Sequence, residues 1–218
     1  MNNLIRDELK NKGFIFLEKF RPDANTIGIA SEIGDPMIPW VGGLVQRLVP
    51  RRISTPNTYS GIYGLGQFPF HTDLAHWSKP PRYLLLRCIK GYQAIPTLII
   101  DGNDLIKEIG ADFLRRAIFQ PRRPQGREYK LLSLYDSCED GNFIRWDEIF
   151  LNPASKVGQT VNEKIRNILA SCSPKTAALV FNSDTLLIDN WRILHARSPI
   201  ISGCEDREIE RIYLRVIN

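Results

Sequence analysis

Short apolar segments separated by glycine, proline and other turn-forming residues most limit how this sequence can fold. The clearest are Tyr83–Ile89, Pro96–Ile100, Thr185–Asp189 and Ile209–Val216. Apolar runs of this length, bounded by turn residues, are typical of buried β-strands. Helical patterns do not alternate regularly with them, as they do in parallel α/β proteins. The sequence therefore predicts a mainly β protein of the α+β class, a sandwich or open barrel with helical additions.

Helices are predicted near the start of the chain and in its middle. Residues 2–12 carry apolar side chains at helical spacing, and residues 103–119 do so with a break near Gly110. Thr160 followed by Glu163 has the pattern of a capping box. This pattern predicts that another helix begins there.

The last quarter of the chain is predicted to be rich in strands. Ala177–Phe181 and Thr185–Asp189 flank an Asn-Ser-Asp turn, which predicts a hairpin. In Ile209–Val216 the alternation places Arg211 and Arg215 on one face, opposite an apolar face. Two arginines pointing into a pocket suit a dicarboxylate, because a guanidinium binds a carboxylate through two parallel hydrogen bonds. The alternative is a half-exposed strand with both arginines in solvent.

Length and composition indicate one globular domain. The 218 residues are 43% hydrophobic and 24% charged, which is enough for a sizeable core. No apolar run approaches the roughly 18 residues of a membrane span, and the first residues lack the apolar stretch of a signal peptide. We therefore expect a single domain over residues 1–218, cytoplasmic and not membrane-associated. Four cysteines without a CxxC pair argue against a zinc ribbon and favour reduced thiols.

The formal net charge of +5 raises the question of nucleic-acid binding. Arginine pairs occur at residues 51–52, 115–116 and 122–123, but acidic residues are interspersed and no nucleic-acid motif accompanies the pairs. We interpret the arginine pairs as a solvated basic surface and do not predict a nucleic-acid partner.

The histidines suggest a metal centre. His71 and Asp73 are two residues apart, a spacing that directs both side chains to one face of an extended strand, and His195 can supply a third ligand. Two imidazoles and one carboxylate form the facial triad of non-haem iron(II) oxygenases. The spacing alone leaves an alternative open, in which His71 and Asp73 are a surface pair and His195 is an unrelated core residue.

Several motifs, taken in order, resemble those of a known superfamily. They are Gly13–Leu17, His71-Thr72-Asp73, Pro80–Cys88, Asp189–Arg197 and Arg211–Arg215. Together they resemble the taurine dioxygenase/clavaminate synthase-like superfamily of iron(II)- and 2-oxoglutarate-dependent oxygenases. The resemblance implies a double-stranded β-helix, or jelly roll. It covers about residues 13–216, but it is weakest over residues 103–175, where the insert that usually supplies lids and substrate contacts is shortened.

The resemblance also assigns roles to individual residues. His71, Asp73 and His195 match the iron ligands. Arg211 matches the arginine that binds the distal carboxylate of 2-oxoglutarate, with Arg207 as the alternative. The remaining matches are Arg215 as a second pocket arginine, Thr97 as a hydrogen-bond donor to the same carboxylate, and Gln67 as a polar residue facing the substrate pocket. Trp77 and Arg197 are candidate substrate contacts because they lie beside the predicted metal motifs, and not because they match the family. Trp77 has an alternative role in the core, and Arg197 has one in the fold or the 2-oxoglutarate pocket.

The function implied is that of a dioxygenase using Fe(2+), 2-oxoglutarate and O2. It would hydroxylate or otherwise oxidise an unactivated C–H bond of a small amino-acid-like or acidic metabolite. Asp73 favours oxygenation, since related halogenases lack this carboxylate. Two alternatives remain open: the same chemistry on a macromolecular or carrier-bound substrate, and a jelly-roll binding protein without catalysis. The oligomeric state is also open, with a homodimer among the possibilities.

Overall fold

A computed structural model describes residues 2–39, 42–123 and 130–218 of the chain. The helices are α1 (Asn2–Lys12), α2 (Thr26–Ile33), α3 (Tyr59–Tyr63), α4 (Gly102–Ile109), α5 (Ala111–Arg116) and α6 (Lys156–Ser171). The strands are β1 (Phe14–Leu17), β2 (Gly34–Met37), β3 (Gln46–Leu48), β4 (Tyr83–Lys90), β5 (Thr97–Asp101), β6 (Ile118–Pro121), β7 (Leu132–Ser133), β8 (Tyr135–Cys138), β9 (Gly141–Ile144), β10 (Leu151–Pro153), β11 (Lys175–Ala177), β12 (Thr185–Asp189), β13 (Ile193–Arg197) and β14 (Glu208–Ile217).

Two antiparallel sheets form the body of the protein. The larger has the order β1-β12-β4-β14-β2, and β3 also pairs with β14. The smaller has the order β11-β5-β13, and an isolated bridge between His71 and His195 adds one more segment beside β13. Two small sheets, β10-β6-β7 and β8-β9, lie outside this body. The prediction of a mainly β fold with helical additions is confirmed.

The core has three layers, one between the two sheets and one on the outer face of each sheet. Between the two sheets lie Leu84 and Leu86 of β4, Ile99 of β5 and Ile209 of β14. Helices α1 and α2 cover the other face of the larger sheet, while α4, α5 and α6 cover the smaller sheet. Burial on both sides explains why the central strands are continuous apolar runs, since neither face meets water. Within the described ranges, no helix is long and apolar enough to cross a membrane.

The predicted hairpin around residues 182–184 is wrong. Strand β11 ends at Ala177 and pairs with β5 in the smaller sheet, whereas β12 pairs with β1 and β4 in the larger one. The segment between them crosses from one sheet to the other. The Asp184 carboxylate accepts hydrogen bonds from the backbone N–H groups of Val180 and Phe181. Local turn chemistry is therefore present, but it shapes a crossover.

The predicted capping box is also wrong, although the helix exists. Helix α6 begins at Lys156, and its N-cap is Ser155, five residues before Thr160. The Ser155 hydroxyl accepts a hydrogen bond from the Gly158 N–H. A Cβ at position 158 would lie 2.5 Å from the Ile118 carbonyl oxygen, so the first turn packs directly on β6. The predicted break near Gly110 is confirmed, since α4 and α5 meet at this residue.

Asp189, at the end of β12, gives a testable pH dependence of stability. Burial raises the pKa of its carboxyl to about 6, against the partial compensation of Arg82 and the Trp191 N–H. The folded state then binds this proton more tightly than the unfolded state, so the stability contribution of Asp189 is lost as pH rises through about 6. Asp189→Asn keeps an oxygen acceptor and does not titrate.

We expect the unfolding free energy of the wild type, relative to Asp189→Asn, to fall by roughly 2 kcal/mol between about pH 4.5 and 7.5. Urea unfolding at several pH values measures this difference. Asp112→Asn, at a carboxylate whose side chain is 92% exposed, is the matched control and should change little. Parallel pH profiles for wild type and Asp189→Asn would contradict the assignment.

Candidate active site

His71 and His195 are brought together by backbone pairing. The His71 N–H donates to the His195 carbonyl at 3.0 Å, and the His195 N–H donates to the His71 carbonyl at 2.9 Å. Directly opposed residues in such a pair project their side chains to the same face of the sheet. The two imidazole centroids lie 4.5 Å apart, and both side chains are buried. Strand β13 thus fixes one histidine, and the bridge fixes the other.

Asp73 reaches the same point from a turn, not from a strand. Only His71 is in the bridge, and the chain turns at Asp73 before Leu74, whose φ is +57°. The His71 and Asp73 side chains therefore do not converge through the geometry of an extended strand, the geometry that their spacing predicts. Asp73 Oδ1 lies 3.5 Å from His71 Nε2 and 3.9 Å from His195 Nε2. One ligand atom from each of the three residues lies within 4.8 Å of the others.

The Asn190 side chain fixes the backbone of Asp73. Its Oδ1 accepts a hydrogen bond from the Asp73 N–H at 2.7 Å, and its Nδ2 donates to the carbonyls of Asp73 and Pro81 at 3.0 and 2.9 Å. Asn190 is fully buried, so these bonds do not compete with water. On the other side, Thr72 pairs with Trp146 through backbone and hydroxyl hydrogen bonds. The turn that carries Asp73 is therefore held from both sides.

Asp73 and His195 have the protonation states of metal ligands. Burial, reinforced by the neighbouring His71, lowers the pKa of His195 to about 3, so this imidazole is neutral. Burial disfavours ionised Asp73, but Arg211 and the two histidines outweigh it and hold the carboxyl pKa well below its usual range. Burial also opposes protonation of His71, yet the Asp73 hydrogen bond and charge raise its pKa. A metal ion would replace that proton.

The donor set fits iron(II). His71 Nδ1 lies 2.9 Å from the Pro69 carbonyl oxygen, a contact that requires a proton on Nδ1, so Nε2, which faces Asp73, is the nitrogen that a metal ion would bind. Two neutral imidazole nitrogens and one carboxylate oxygen on one side of a cavity are the ligands of a facial triad with open positions. The triad residues predicted from the sequence are thus assembled at one point.

The triad lies in a cavity of about 360 Å³. The segment 47–60 lines one side of it and brings Tyr59, whose ring stacks on His71 with centroids 4.5 Å apart. Apolar side chains contribute much of the cavity wall: Leu48, Val49, Phe68, Leu86 and Ile209. The charged groups of the lining are five arginines and one carboxylate, Asp73, within the described part of the chain.

The Arg211 guanidinium is bound to the Asp73 carboxylate. Its Nη1 donates to Asp73 Oδ2 at 3.1 Å, and its Nε donates to Gln46 Oε1 at 3.2 Å. The Tyr213 hydroxyl donates to the same carboxylate oxygen at 3.0 Å. Asp73 thus turns one oxygen to the histidines and the other to Arg211 and Tyr213.

Arg207 also lines the cavity but has no anionic partner. Its side chain is buried, its Nε has no hydrogen-bond acceptor, and no carboxylate of the described residues lies within ion-pair distance. Burial lowers its pKa to about 10, which leaves it charged at neutral pH. A buried guanidinium without a carboxylate is costly unless a ligand supplies the anion. Thr97, which is also buried, lines the same cavity.

Three of the remaining predicted site residues do not line the cavity, so their predicted placement in the site is corrected. Arg215 is exposed and pairs with Asp35 at 2.9 Å, because the register of β14 shifts after Leu214 and the alternation ends there. Gln67 is exposed in a separate groove, and its neighbour Phe68 faces the cavity instead. Trp77 does not line the cavity.

Arg197 does line the cavity, with a mainly structural set of contacts. It donates to the carbonyls of Gly64 and Gly66 at 2.9 and 2.5 Å, and its guanidinium lies 3.5 Å from the centroid of the Phe68 ring. These contacts support the alternative role in the fold.

Sequence reasoning missed several site residues. Tyr59 lies in a stretch without clear periodicity, so no pattern marked it. Asn190 and Tyr213 stand within motifs quoted for the resemblance, next to residues with assigned roles, but their contacts become visible only in three dimensions.

Comparisons with known proteins place this fold among iron oxygenases. No protein-family model matches the chain. Gamma-butyrobetaine dioxygenases of Homo sapiens and Pongo abelii are each 24% identical over 185 residues, covering 69% of this chain. The chain spans 45% of the length of these curated relatives.

Solved structures match over nearly the whole chain. Asparagine oxygenase in complex with Fe(II), 2S,3S-3-hydroxyasparagine and succinate has a TM-score of 0.74 at 16% identity, covering 98% of this chain and 79% of its own. The non-heme iron oxygenase OrfP with Fe and alpha-ketoglutaric acid has 0.71 at 16%, covering 98% and 78%. PvcB, an Fe, alpha-ketoglutarate dependent oxygenase, has 0.70 at 14%, covering 98% and 80%. The chain therefore has the double-stranded β-helix fold of these oxygenases, as the resemblance implies.

The Asn190 contacts generate a prediction about metal binding. Asn190→Asp keeps the acceptor for the Asp73 N–H but loses both donated hydrogen bonds and adds a buried charge. We expect the affinity for iron(II) to fall roughly 10- to 100-fold, as for other residues that orient metal ligands. Anaerobic titration with iron(II) measures it, with circular dichroism to confirm folding.

Asn182→Asp makes the same chemical change on an exposed side chain and serves as the control. Equal iron(II) affinity in the two variants would contradict a positioning role for Asn190.

Proposed function

We propose that this protein is an iron(II)- and 2-oxoglutarate-dependent oxygenase that oxidises a C–H bond of a small amino-acid-like or acidic metabolite. One observation carries the proposal. A buried cavity combines a two-histidine, one-carboxylate triad with Arg207, a buried guanidinium that has no carboxylate of its own. A metal ion would bind to the triad, and one carboxylate of a dicarboxylate would pair with Arg207.

The names of the relatives and the groups bound in similar structures support the same function. The curated relatives are named as dioxygenases, and the asparagine oxygenase and OrfP structures named above contain Fe with succinate and with alpha-ketoglutaric acid, respectively. Succinate is 2-oxoglutarate less one carbon, as expected if the co-substrate is decarboxylated. The alignments cover 98% of this chain, which supports a single oxygenase domain across residues 1–218.

We assign the distal carboxylate of 2-oxoglutarate to Arg207 and Thr97. Arg211 was the first match to the family pattern, but its guanidinium already binds Asp73 Oδ2, whereas Arg207 is free to bind an anion. Thr97 lines the same cavity, and its hydroxyl would donate a hydrogen bond to that carboxylate. Arg211 then acts through Asp73, by holding its carboxylate ionised and oriented.

The chain's own residues supply binding, orientation and exclusion of water. His71, Asp73 and His195 would hold the iron on one side, leaving the cavity side open. Bound iron with 2-oxoglutarate and O2 supplies the oxidising power, which no side chain possesses. The apolar lining and the low exposure of the triad keep water from the reacting group.

The first test concerns the triad. With iron(II) and 2-oxoglutarate under anaerobic conditions, the wild type should develop a weak visible charge-transfer band. His71→Ala removes one ligand, so the band and the bound iron should be lost. His76→Ala, at the one other histidine, does not touch the triad and should keep both. A wild type without the band, or equal iron content in the two variants, would show that the triad is not an iron site.

The second test concerns the co-substrate. Arg207→Gln should weaken 2-oxoglutarate binding roughly 30-fold or more, since truncating one partner of a buried charge pair costs about 2–5 kcal/mol. Arg215→Gln removes the same charge from the exposed part of β14 and should leave binding unchanged. Titration of the visible band gives both dissociation constants. Normal binding in Arg207→Gln together with loss in Arg211→Gln would return the anchor to Arg211.

A further inference from the structure

The cavity that contains the triad carries an excess of positive charge. Arg47, Arg51, Arg197, Arg207 and Arg211 line it. Of these, Arg47 is neutralised by a bidentate pair with Glu208 at 2.6 Å.

The excess remains when the groups of the proposed function are bound. Iron(II), ionised Asp73, the two carboxylates of 2-oxoglutarate and the Arg207 guanidinium together carry no net charge. Because the single charge of Asp73 is already counted, the positive charges of Arg51, Arg197 and Arg211 remain in excess over the lining carboxylates of the described residues. Charges in a low-dielectric cavity interact strongly, so the next ligand is selected by its sign.

A cationic group finds no partner in this lining. Asp73 is the one lining carboxylate in the described ranges, and it already serves the histidines, Arg211 and Tyr213. Aromatic faces are the other usual site for an ammonium group. The Phe68 ring is covered by Arg197 at 3.5 Å, and the Tyr59 ring stacks on His71.

Arg51 is the lining arginine left to bind a further anion. It lies at the exposed edge of the cavity and has no hydrogen bond or ion pair with another described residue. Its neighbour Arg52 does not line the cavity and donates to Glu205 at 3.1 Å.

We propose that the substrate is an organic acid with an apolar body and no ammonium group, and that Arg51 binds its acid group at the mouth of the cavity. The inference rests on the proposed function and narrows its substrate class. It separates this protein from the amino acids and the betaine in the names of its relatives, each of which carries a positive nitrogen. The apolar side chains Leu48, Val49 and Ile209 suit the body of such an acid.

Matched ligands on one carbon skeleton test the substrate class. Hexanoate carries the acid alone, norleucine carries the acid and the ammonium group, and pentylamine carries the ammonium group alone. Each is titrated anaerobically into wild-type protein loaded with iron(II) and 2-oxoglutarate, and binding is followed by perturbation of the visible band. The series is repeated with straight-chain acids of four to eight carbons and their amino-acid and amine counterparts.

We expect the acids to bind at least about tenfold more tightly than the matched amino acids, and the amines not to bind, because an ammonium group there is repelled by the excess arginines and meets no free carboxylate among the described residues. Equal or tighter binding of the amino acids overturns the inference, as does failure of every acid to bind. Absence of the band itself contradicts the proposed function instead, so the two failures are distinguishable.

Neighbouring arginines give the matched variants. Arg51→Gln should weaken binding of the tightest acid by about tenfold, the usual effect of losing one charged contact. Arg52→Gln changes the net charge equally, but it should alter the affinity less than about twofold. Equal losses in both variants would mean that only the overall charge matters, and would overturn the role of Arg51. The 2-oxoglutarate affinity should stay unchanged in both.

Discussion

The buried carboxylate of Asp73 is the group on which the rest of the site depends. An ionised carboxylate inside a protein needs charge partners and hydrogen bonds, or it takes up a proton. Asp73 has both, because one oxygen faces His71 and His195 while the other accepts from Arg211 and Tyr213. These partners come from β13, β14 and the bridge segment. The carboxylate therefore ties together both sheets at the point where the cavity opens.

This arrangement determines which arginine is available to a ligand. Arg211 is next to the triad, and its attraction to Asp73 holds it there. Arg207 is four residues earlier in the sequence but lies in the loop before β14, where no carboxylate of the described residues is within ion-pair distance. Two arginines that look equivalent in the sequence thus have different contacts: Arg211 binds Asp73, whereas we propose that Arg207 binds an anion. The difference arises from the third residue, Asp73, far away in the chain.

Local sequence signals predicted elements more reliably than connections. The strands around Leu84, Ile99 and Ile212 were predicted because burial on one or both faces leaves a direct trace in the apolar pattern. The hairpin at residues 182–184 failed because a turn signal does not reveal which sheet each flanking strand joins. The capping box at Thr160 failed because the first turn of α6 is fixed by contact with β6, which a local pattern does not contain.

The sequence by itself determined that the chain is mainly β, and it identified the three residues that the fold brings together, since only one other histidine was available and the motifs occur in order. Tertiary structure alone decided which side chains share the cavity. Arg215 lies outside the cavity because β14 changes register after Leu214. Arg51 lines the cavity although it belongs to a segment without periodicity. Periodic patterns record which face of an element is buried, whereas a binding site is formed by residues from many elements whose meeting depends on how the sheets pack.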